Sequence, residues 1–128
     1  MPRTTIHTEQ GPKAIGPYSQ AVQVDAGKMT FLSGQIPLDP KTMELVPGDV
    51  AAQTEQVMKN LGAVLSASGL DFSHVVRCTI FLTNLGDFAR VNEVYGRYFT
   101  GAPPARATVQ VAALPKGAQV EIDAIAVS

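Results

Sequence analysis

The chain has 128 residues, enough for one hydrophobic core and too few for two domains of ordinary size. Ten basic and eleven acidic side chains give a formal net charge of −1, without the positive excess typical of proteins that bind nucleic acid or anionic membranes. Only 16% of residues are charged, against roughly 25% in ordinary soluble domains, which indicates that copies of the chain bury part of its surface.

Cysteine and histidine usage argues against a metal site. A single cysteine excludes an internal disulfide framework and a multi-cysteine metal site, and neither His7 nor His74 has a companion at metal-ligand spacing. No phosphate-binding loop or nucleotide fingerprint occurs. The N-terminal residues lack a run of signal-peptide length, and no segment reaches the roughly 20 apolar residues of a membrane span. We therefore expect a cytoplasmic protein with no membrane partner.

The first half of the chain predicts three short strands, a loop and a helix. The strands are Thr4–Thr8, Ser19–Val24 and Lys28–Ser33, with the turn-like Asp25-Ala26-Gly27 between the last two. A loop rich in turn-forming residues spans 34–48. Asp49 can then cap a helix that Gly69 ends. Its apolar residues recur at helical spacing: Val50, Val57, Met58, Leu61, Val64 and Leu65.

The second half predicts a strand, a helix and a hairpin. Strand Val75–Leu82 is apolar on the face that carries Cys78, which favours a packing role for this thiol over a nucleophile. Asp87 is predicted to cap a second helix, whose stripe is Phe88, Val91, Tyr95 and Phe99. A loop, 113–118, then joins strands Ala105–Ala112 and Gln119–Val127 as a hairpin.

This order of elements, β-β-β-α-β-α-β-β, predicts a single two-layer α+β domain over residues 1–128. Two helices can cover only one face of a sheet. The opposite face must therefore meet solvent or another subunit.

Arg106 is the first candidate for a functional residue. It follows a stiff Pro103-Pro104 entry and opens a strand on which Arg106, Thr108 and Gln110 share one face. A guanidinium held on such a strand can offer its planar donors to a carboxylate in a fixed orientation. A surface ion pair would explain the same residue.

Two acids on the final strand are the second candidate. Glu121 and Asp123 point the same way on an otherwise apolar face, which suits a partly buried acid or base, a barrel lining or an interface salt bridge. If the last two strands form a direct hairpin, Glu121 lies on the order of 13 Å from Arg106. Either the two residues do not share a site, or a neighbouring subunit completes it.

Other polar and aromatic positions allow two interpretations each. Asn92 lies on or beside the buried stripe of the second helix, and a structural hydrogen bond to a loop backbone is the favoured interpretation from the residues alone. Ser33-Gly34 could admit a ligand close to the backbone or simply end a strand. Tyr18 could wall a pocket or pack as an ordinary half-buried aromatic.

A set of segments, taken in order, resembles the Rid family of reactive-intermediate deaminases, also called the YjgF family or L-PSP endoribonucleases. The resemblance runs from about residue 5 to 127. The segments that carry it are Gly16–Ala21, Ser33–Pro37, Asp87–Tyr95, Pro104–Arg106, Leu114–Gly117 and Val120–Val127. It implies a chorismate-mutase-like fold with one mixed sheet and two helices on one face. It also implies a homotrimer around a central barrel, with sites in the clefts between subunits.

The resemblance also implies chemistry. Family members with this arginine and glutamate hydrolyse enamine and imine intermediates, 2-aminoacrylate/2-iminopropanoate and 2-iminobutanoate, to 2-oxo acids and ammonia without a metal or cofactor. Arg106 would pair with the substrate carboxylate, and Glu121 would position or activate water. The remaining pocket positions would be Tyr18, Ser33, Gly34, Asn92 and Thr108.

Two departures from the family pattern bear on substrate range. Thr108 stands where many members have cysteine, and the segment 100–103 before Pro104 is short.

Two other functions remain open: a protein that binds 2-oxo or 2-imino acids without turnover, and a ribonuclease or translation inhibitor. The near-neutral charge disfavours the ribonuclease, since tight RNA binding draws on a basic surface.

Overall fold

The computed structural model describes residues 3–25 and 27–128. The elements are β1 (Arg3–Ile6), β2 (Ala21–Val24), β3 (Met29–Gln35), α1 (Val50–Ala67), β4 (Val75–Leu82), α2 (Phe88–Gly96), β5 (Ala105–Gln110) and β6 (Val120–Val127). Their order confirms the α+β class. None of the helices in the described ranges is long and apolar enough to cross a membrane. Ala26, in the predicted turn, lies outside the described residues.

Helix α1 forms where the apolar spacing and its capping residue predict it. The Asp49 side chain accepts a hydrogen bond from the Ala52 amide at 3.0 Å, which satisfies one of the free amides of the first turn. Gly69 follows the helix with φ +74°, a conformation that costs a glycine little. Both predicted ends are therefore confirmed.

The predicted cap of α2 is wrong. Asp87 makes no capping hydrogen bond, because it is itself the last residue of a short 3₁₀ turn, 85–87, and its backbone has φ −85° and ψ 0°. Asn84 caps that turn instead, accepting from the Gly86 amide at 2.8 Å. The helix ends at Gly96, so Phe99 lies beyond it, although its ring still packs on Tyr95 at 4.8 Å between centroids.

Four strands form a mixed sheet in the order β3-β6-β4-β5. Strand β6 is antiparallel to β3 and β4, whereas β5 runs parallel to β4. Parallel neighbours need a crossover connection, which α2 provides. Strands β1 and β2 pair only with each other as a separate two-stranded sheet, so the described strands form two sheets and not the single one expected.

The predicted hairpin of the last two strands is also wrong. Strand β4 lies between β5 and β6 and pairs with both. The nine-residue connection 111–119 can easily cross the roughly 10 Å that two strand spacings require. An apolar strand such as β4 gains by having neighbours on both edges, because the central position buries it most completely.

The hydrophobic core lies between the two helices and one face of the four-stranded sheet. Its members from β4 and β6 alternate along each strand, and α1 and α2 cover them: Cys78, Ile80, Leu82, Val120, Ile122, Val57, Met58, Leu61, Leu65, Val91 and Tyr95. Cys78 is 2% exposed, and burial raises the pKa of its thiol to about 11. The predicted packing role of Cys78 is confirmed, since a protonated, enclosed thiol is a poor nucleophile.

No helix of the described residues covers the opposite face of this sheet. Phe31, which pairs with the half-buried Ile125, is 69% exposed there, and Val109 on β5 is 41% exposed. Large apolar side chains on a sheet face favour contact with another protein surface. The prediction that two helices leave one face uncovered is confirmed for the chain.

Candidate active site

Arg106 lies against α2, on the helix-covered face of the sheet. Its register partner on β4 is Cys78, a core residue, so the side chain points toward the helices and is half-buried. Nη1 of Arg106 donates a hydrogen bond to Oδ1 of Asn92 at 2.7 Å. The favoured sequence interpretation of Asn92, a bond to a loop backbone, is therefore wrong, because α2 presents the amide directly to the guanidinium.

Aromatic rings enclose the rest of the guanidinium. The Cζ atom of Arg106 lies 5.3 Å from the ring centroid of Tyr18, 5.5 Å from that of Phe88 and 5.3 Å from that of Tyr95. These distances are within the range of cation–π attraction. Arg106, Asn92, Tyr18, Phe88 and Tyr95 together are called the arginine half-site below.

The segment that carries Tyr18 is tied to the start of β5. The Tyr18 amide donates to the Gly16 carbonyl at 2.8 Å, forming a tight turn around Pro17. The next residue, Ser19, is buried, and its amide donates to the Pro104 carbonyl at 3.1 Å. The Tyr18 ring and Arg106 are thus held by neighbouring, mutually bonded pieces of backbone.

No carboxylate compensates the charge of Arg106 within the described residues: the ion pairs found there involve other cations. Burial lowers the pKa of the guanidinium, but an arginine starts from so high a value that it stays cationic. A half-buried cation that an amide and π faces hold, with no carboxylate among the described residues, is suited to binding an anion from outside the chain.

Thr108 lies on the same face of β5, two residues beyond Arg106. Its register partner is the core residue Ile80, and its Oγ1 is buried without a hydrogen-bond partner in the described part of the chain. A buried hydroxyl without a partner costs about 1–3 kcal/mol. Thr108 can therefore gain a hydrogen bond from a ligand or water, or from a movement of the strand.

Glu121 lies on the uncovered face of the sheet and leans over Gly34. A Cβ atom at position 34 would lie 2.3 Å from Glu121 Oε2, so only glycine admits the carboxylate in this position. The pairing of β3 with β6 shifts between Leu32 and Gln35, which places Ser33 and Gly34 in an irregular stretch of the strand. Glu121, Gly34 and Ser33 are called the glutamate half-site below.

Asp123 has a different role from Glu121, although both project from the same face of β6. Its Oδ1 accepts a hydrogen bond from the Thr79 amide of β4 at 3.1 Å. The Asp123 carboxylate is therefore engaged in a hydrogen bond to the sheet backbone. Glu121 is the better candidate for a general acid or base. Among the described residues no group of three His, Cys, Asp or Glu side chains could hold a metal ion.

The two half-sites lie on opposite faces of one chain. Arg106 aligns through Cys78 with Ala124, which points to the helices, whereas Glu121 points away from them. Two strand spacings and three residues separate the two positions, about 14 Å. The predicted separation of Arg106 and Glu121 thus holds, although the hairpin on which it was based does not exist.

Sequence reasoning did not identify Phe88 and Tyr95 as neighbours of Arg106. Their spacing with Asn92 was a usable signal, because positions i, i+4 and i+7 share one face of a helix. The apolar stripe by itself predicts only core packing for these two rings. In this chain the polar Asn92 lies within the aromatic stripe, and the stripe faces the Arg106 guanidinium.

Residues 8–128 match the protein family described as Endoribonuclease L-PSP. Over all 128 residues the chain is 84% identical to Protein DfrA of Myxococcus xanthus, covering 98% of that protein. It is 54% identical over 125 residues to the 2-iminobutanoate/2-iminopropanoate deaminase of Mus musculus, and this match covers 98% of this chain and 91% of the mouse protein.

Solved structures share the fold as well as the sequence. The crystal structure of E. coli TdcF with bound serine has a TM-score of 0.76 and 45% sequence identity, and the match covers 98% of each chain. At 45% identity the two chains share sequence as well as fold. The ligand in that structure is an amino acid, a small molecule with a carboxylate.

Proposed function

The chain belongs to the Endoribonuclease L-PSP family, and on that premise we propose that it is a deaminase of reactive enamines and imines. Its substrates would be 2-iminopropanoate, with its tautomer 2-aminoacrylate, and 2-iminobutanoate; the products are 2-oxo acids and ammonia. The name of the Mus musculus relative supports this activity. The observation that carries the proposal is a half-buried arginine whose neighbours are neutral.

The arginine half-site would hold the substrate carboxylate. Arg106 Nη1 is committed to Asn92, so the other edge of the guanidinium is the one that meets an incoming anion. A planar, two-pronged contact fixes the orientation of the carboxylate as well as its position. The Thr108 hydroxyl and the Tyr18 ring would line the space beside it.

The glutamate half-site would supply the proton transfer. Glu121 would take a proton from water as the water oxygen bonds to C2, and the C=N electron pair moves to nitrogen, which receives that proton from Glu121. The C–N bond of the resulting tetrahedral aminoalcohol then breaks as its hydroxyl proton passes through Glu121 to the departing nitrogen, so that the carbonyl forms and ammonia leaves. General acid–base help of this kind typically contributes about 10²–10⁴-fold to the rate.

A complete site would need two copies of the chain. Arg106 and Glu121 lie on opposite faces, about 14 Å apart, whereas a substrate of a few heavy atoms must touch both. We propose that the arginine half-site of one copy meets the glutamate half-site of a neighbour in a homotrimer. The uncovered sheet face with its exposed Phe31 and the low content of charged residues support such an assembly.

The test is an assay in which a threonine dehydratase generates 2-iminobutanoate in situ. We expect the chain to accelerate release of 2-oxobutanoate and ammonia, and Arg106→Ala to abolish the acceleration. If the chain binds 2-oxobutanoate but does not accelerate the reaction, the proposal of an enzyme is wrong and a sensor of 2-oxo acids is favoured. Salt-sensitive cleavage of RNA by the wild type, lost in Arg106→Ala, would favour the ribonuclease that the family description names.

A further inference from the structure

The first turn of α2 brings a ring to Arg106 that has no part in the proposed proton transfers. Phe88 is the first residue of α2, is half-buried, and has its ring centroid 5.5 Å from the Arg106 Cζ atom. Asn92, one turn later on the same helix face, accepts the Arg106 hydrogen bond. We propose that Phe88 is a positioning residue, whose π face holds the Arg106 guanidinium in the orientation that binds the substrate carboxylate. This inference rests on the proposed deaminase function.

An aromatic holder solves a problem that an acidic holder would create. A carboxylate beside Arg106 would orient the guanidinium but would also neutralise it, and a substrate carboxylate would then compete with an internal one. A ring face attracts the cation without occupying its N–H donors. The arginine half-site contains rings and an amide, and no acid, among its described members.

The ring contacts of Arg106 differ in what else they do. Tyr95 is fully buried and packs on Phe99 in the core, so its replacement would disturb folding. Tyr18 sits on the turn after Gly16, and its ring is already a candidate wall of the pocket. Phe88 combines a rigid helical backbone with partial exposure, so its ring can be altered while the core stays intact.

The start of α2 determines where the Phe88 ring lies. The 3₁₀ turn 85–87, capped by Asn84, feeds directly into the helix and fixes the direction in which the Phe88 side chain leaves the backbone. The helix then presents Phe88 and Asn92 as one rigid unit, because positions i and i+4 lie above one another. Arg106 is thereby held from one element by a π face and an acceptor oxygen.

The decisive experiment varies the electron density of the ring at constant shape. Phenylalanine carrying one, two or three fluorine atoms is placed at position 88, and binding of 2-oxobutanoate is measured by calorimetry alongside kcat and KM for 2-iminobutanoate. Because fluorination weakens the ring quadrupole, Kd and KM should rise stepwise, and Phe88→Leu should raise both by about 5–10-fold, within the energy range of a cation–π contact. We expect kcat to stay within about twofold, since the ring does not touch the reacting atoms.

A matched control separates this effect from lost packing. Phe72 is another half-buried phenylalanine, but it packs on Tyr98 and Phe99, at the opposite end of α2 from Phe88. Phe72→Leu should lower the melting temperature and leave Kd and KM unchanged. Equal Kd values across the fluorinated series, in a wild type that binds and hydrolyses, would overturn the positioning role while the deaminase proposal stands.

A different readout decides the case of an inactive wild type. If the wild type neither binds nor hydrolyses these acids, the deaminase proposal fails. The Nε proton resonance of Arg106 then tests the contact by itself. An upfield ring-current shift that becomes smaller in Phe88→Leu, where the Tyr18 and Tyr95 rings remain, would retain Phe88 as the holder of this cation for another anion. A resonance at the same position in the wild type and in Phe88→Leu would remove that role as well.

Discussion

Arg106 and Glu121 are prepared for opposite tasks by their immediate neighbours. The guanidinium is enclosed by rings and an amide, which restrict its motion, and no carboxylate of the described residues compensates its charge. The carboxylate instead lies over a glycine, on a face of the sheet that no helix covers. A rigid cation suits recognition, whereas an acid with an open side suits exchange of protons with water.

Arg106→Lys tests whether the shape of the cation matters in addition to its charge. An ammonium keeps the charge but lacks the planar donor fork, so we expect the variant to fail nearly as badly as Arg106→Ala. Truncating one member of a desolvated charge pair costs roughly 2–5 kcal/mol, so kcat/KM for 2-iminobutanoate should fall about 30-fold or more. Arg97→Lys is the control, since Arg97 is exposed and paired with Glu93 at 3.0 Å. A wild-type rate in Arg106→Lys would make Arg106 a structural residue.

Among the elements, those with local signals were predictable and those that depend on distant pairing were not. Helix α1 follows from its apolar spacing, the Asp49 cap and Gly69, all of which lie close together in the sequence. The position of β5 beside β4 depends on a parallel pairing across the whole of α2, which leaves no turn signal in the sequence. Because β5 and β6 are consecutive in the sequence, the local pattern predicts a hairpin, although β4 separates them in the sheet.

The candidate site shows the same division. The strand alternation correctly placed Arg106 and Thr108 on one face, and Glu121 and Asp123 together on another. It could not show that these faces are opposite, because that depends on how β5 and β6 each pair with β4. Nor could it separate Asp123, which binds the Thr79 amide, from Glu121, since two carboxylates on one strand face are alike in sequence.

Gly34→Ala tests the irregular stretch of β3 as a seat for the carboxylate. The new Cβ would lie 2.3 Å from Glu121 Oε2 and 2.9 Å from Cδ, so the carboxylate must swing aside while the strand backbone stays in place. We expect kcat to fall by at least about tenfold, because part of the acceleration that acid–base help supplies would be lost. The melting temperature should change little. Gly101→Ala is the matched control, since nothing lies within 4 Å of its added Cβ. Full activity in Gly34→Ala would show that the position of Glu121 over Gly34 is not needed.

At the scale of the whole molecule, assembly of several copies would account for both the uncovered sheet face and the placement of the two half-sites on opposite faces of one chain. Exposed apolar residues such as Phe31 need a cover, and the glutamate half-site on that same side needs an arginine. A ring of subunits, each presenting one half-site to the next, answers both needs through a repeated head-to-tail contact. Under the proposed trimer, light scattering should give about threefold the chain mass of 13.5 kDa.

Mixing two inactive variants tests directly whether the site is shared between copies. Arg106→Ala and Glu121→Gln should each be inactive alone, because an amide cannot accept the proton of water and a methyl group cannot hold a carboxylate. If each site takes its arginine from one copy and its glutamate from the next, trimers refolded from an equal mixture should regain about one quarter of the wild-type activity, since a random contact joins two intact half-sites with that frequency. The measurement is the rate of 2-iminobutanoate hydrolysis, with each variant refolded alone as the control. Trimers that exchange subunits but recover no activity would place both residues in one chain, and the proposed division of the site would be wrong.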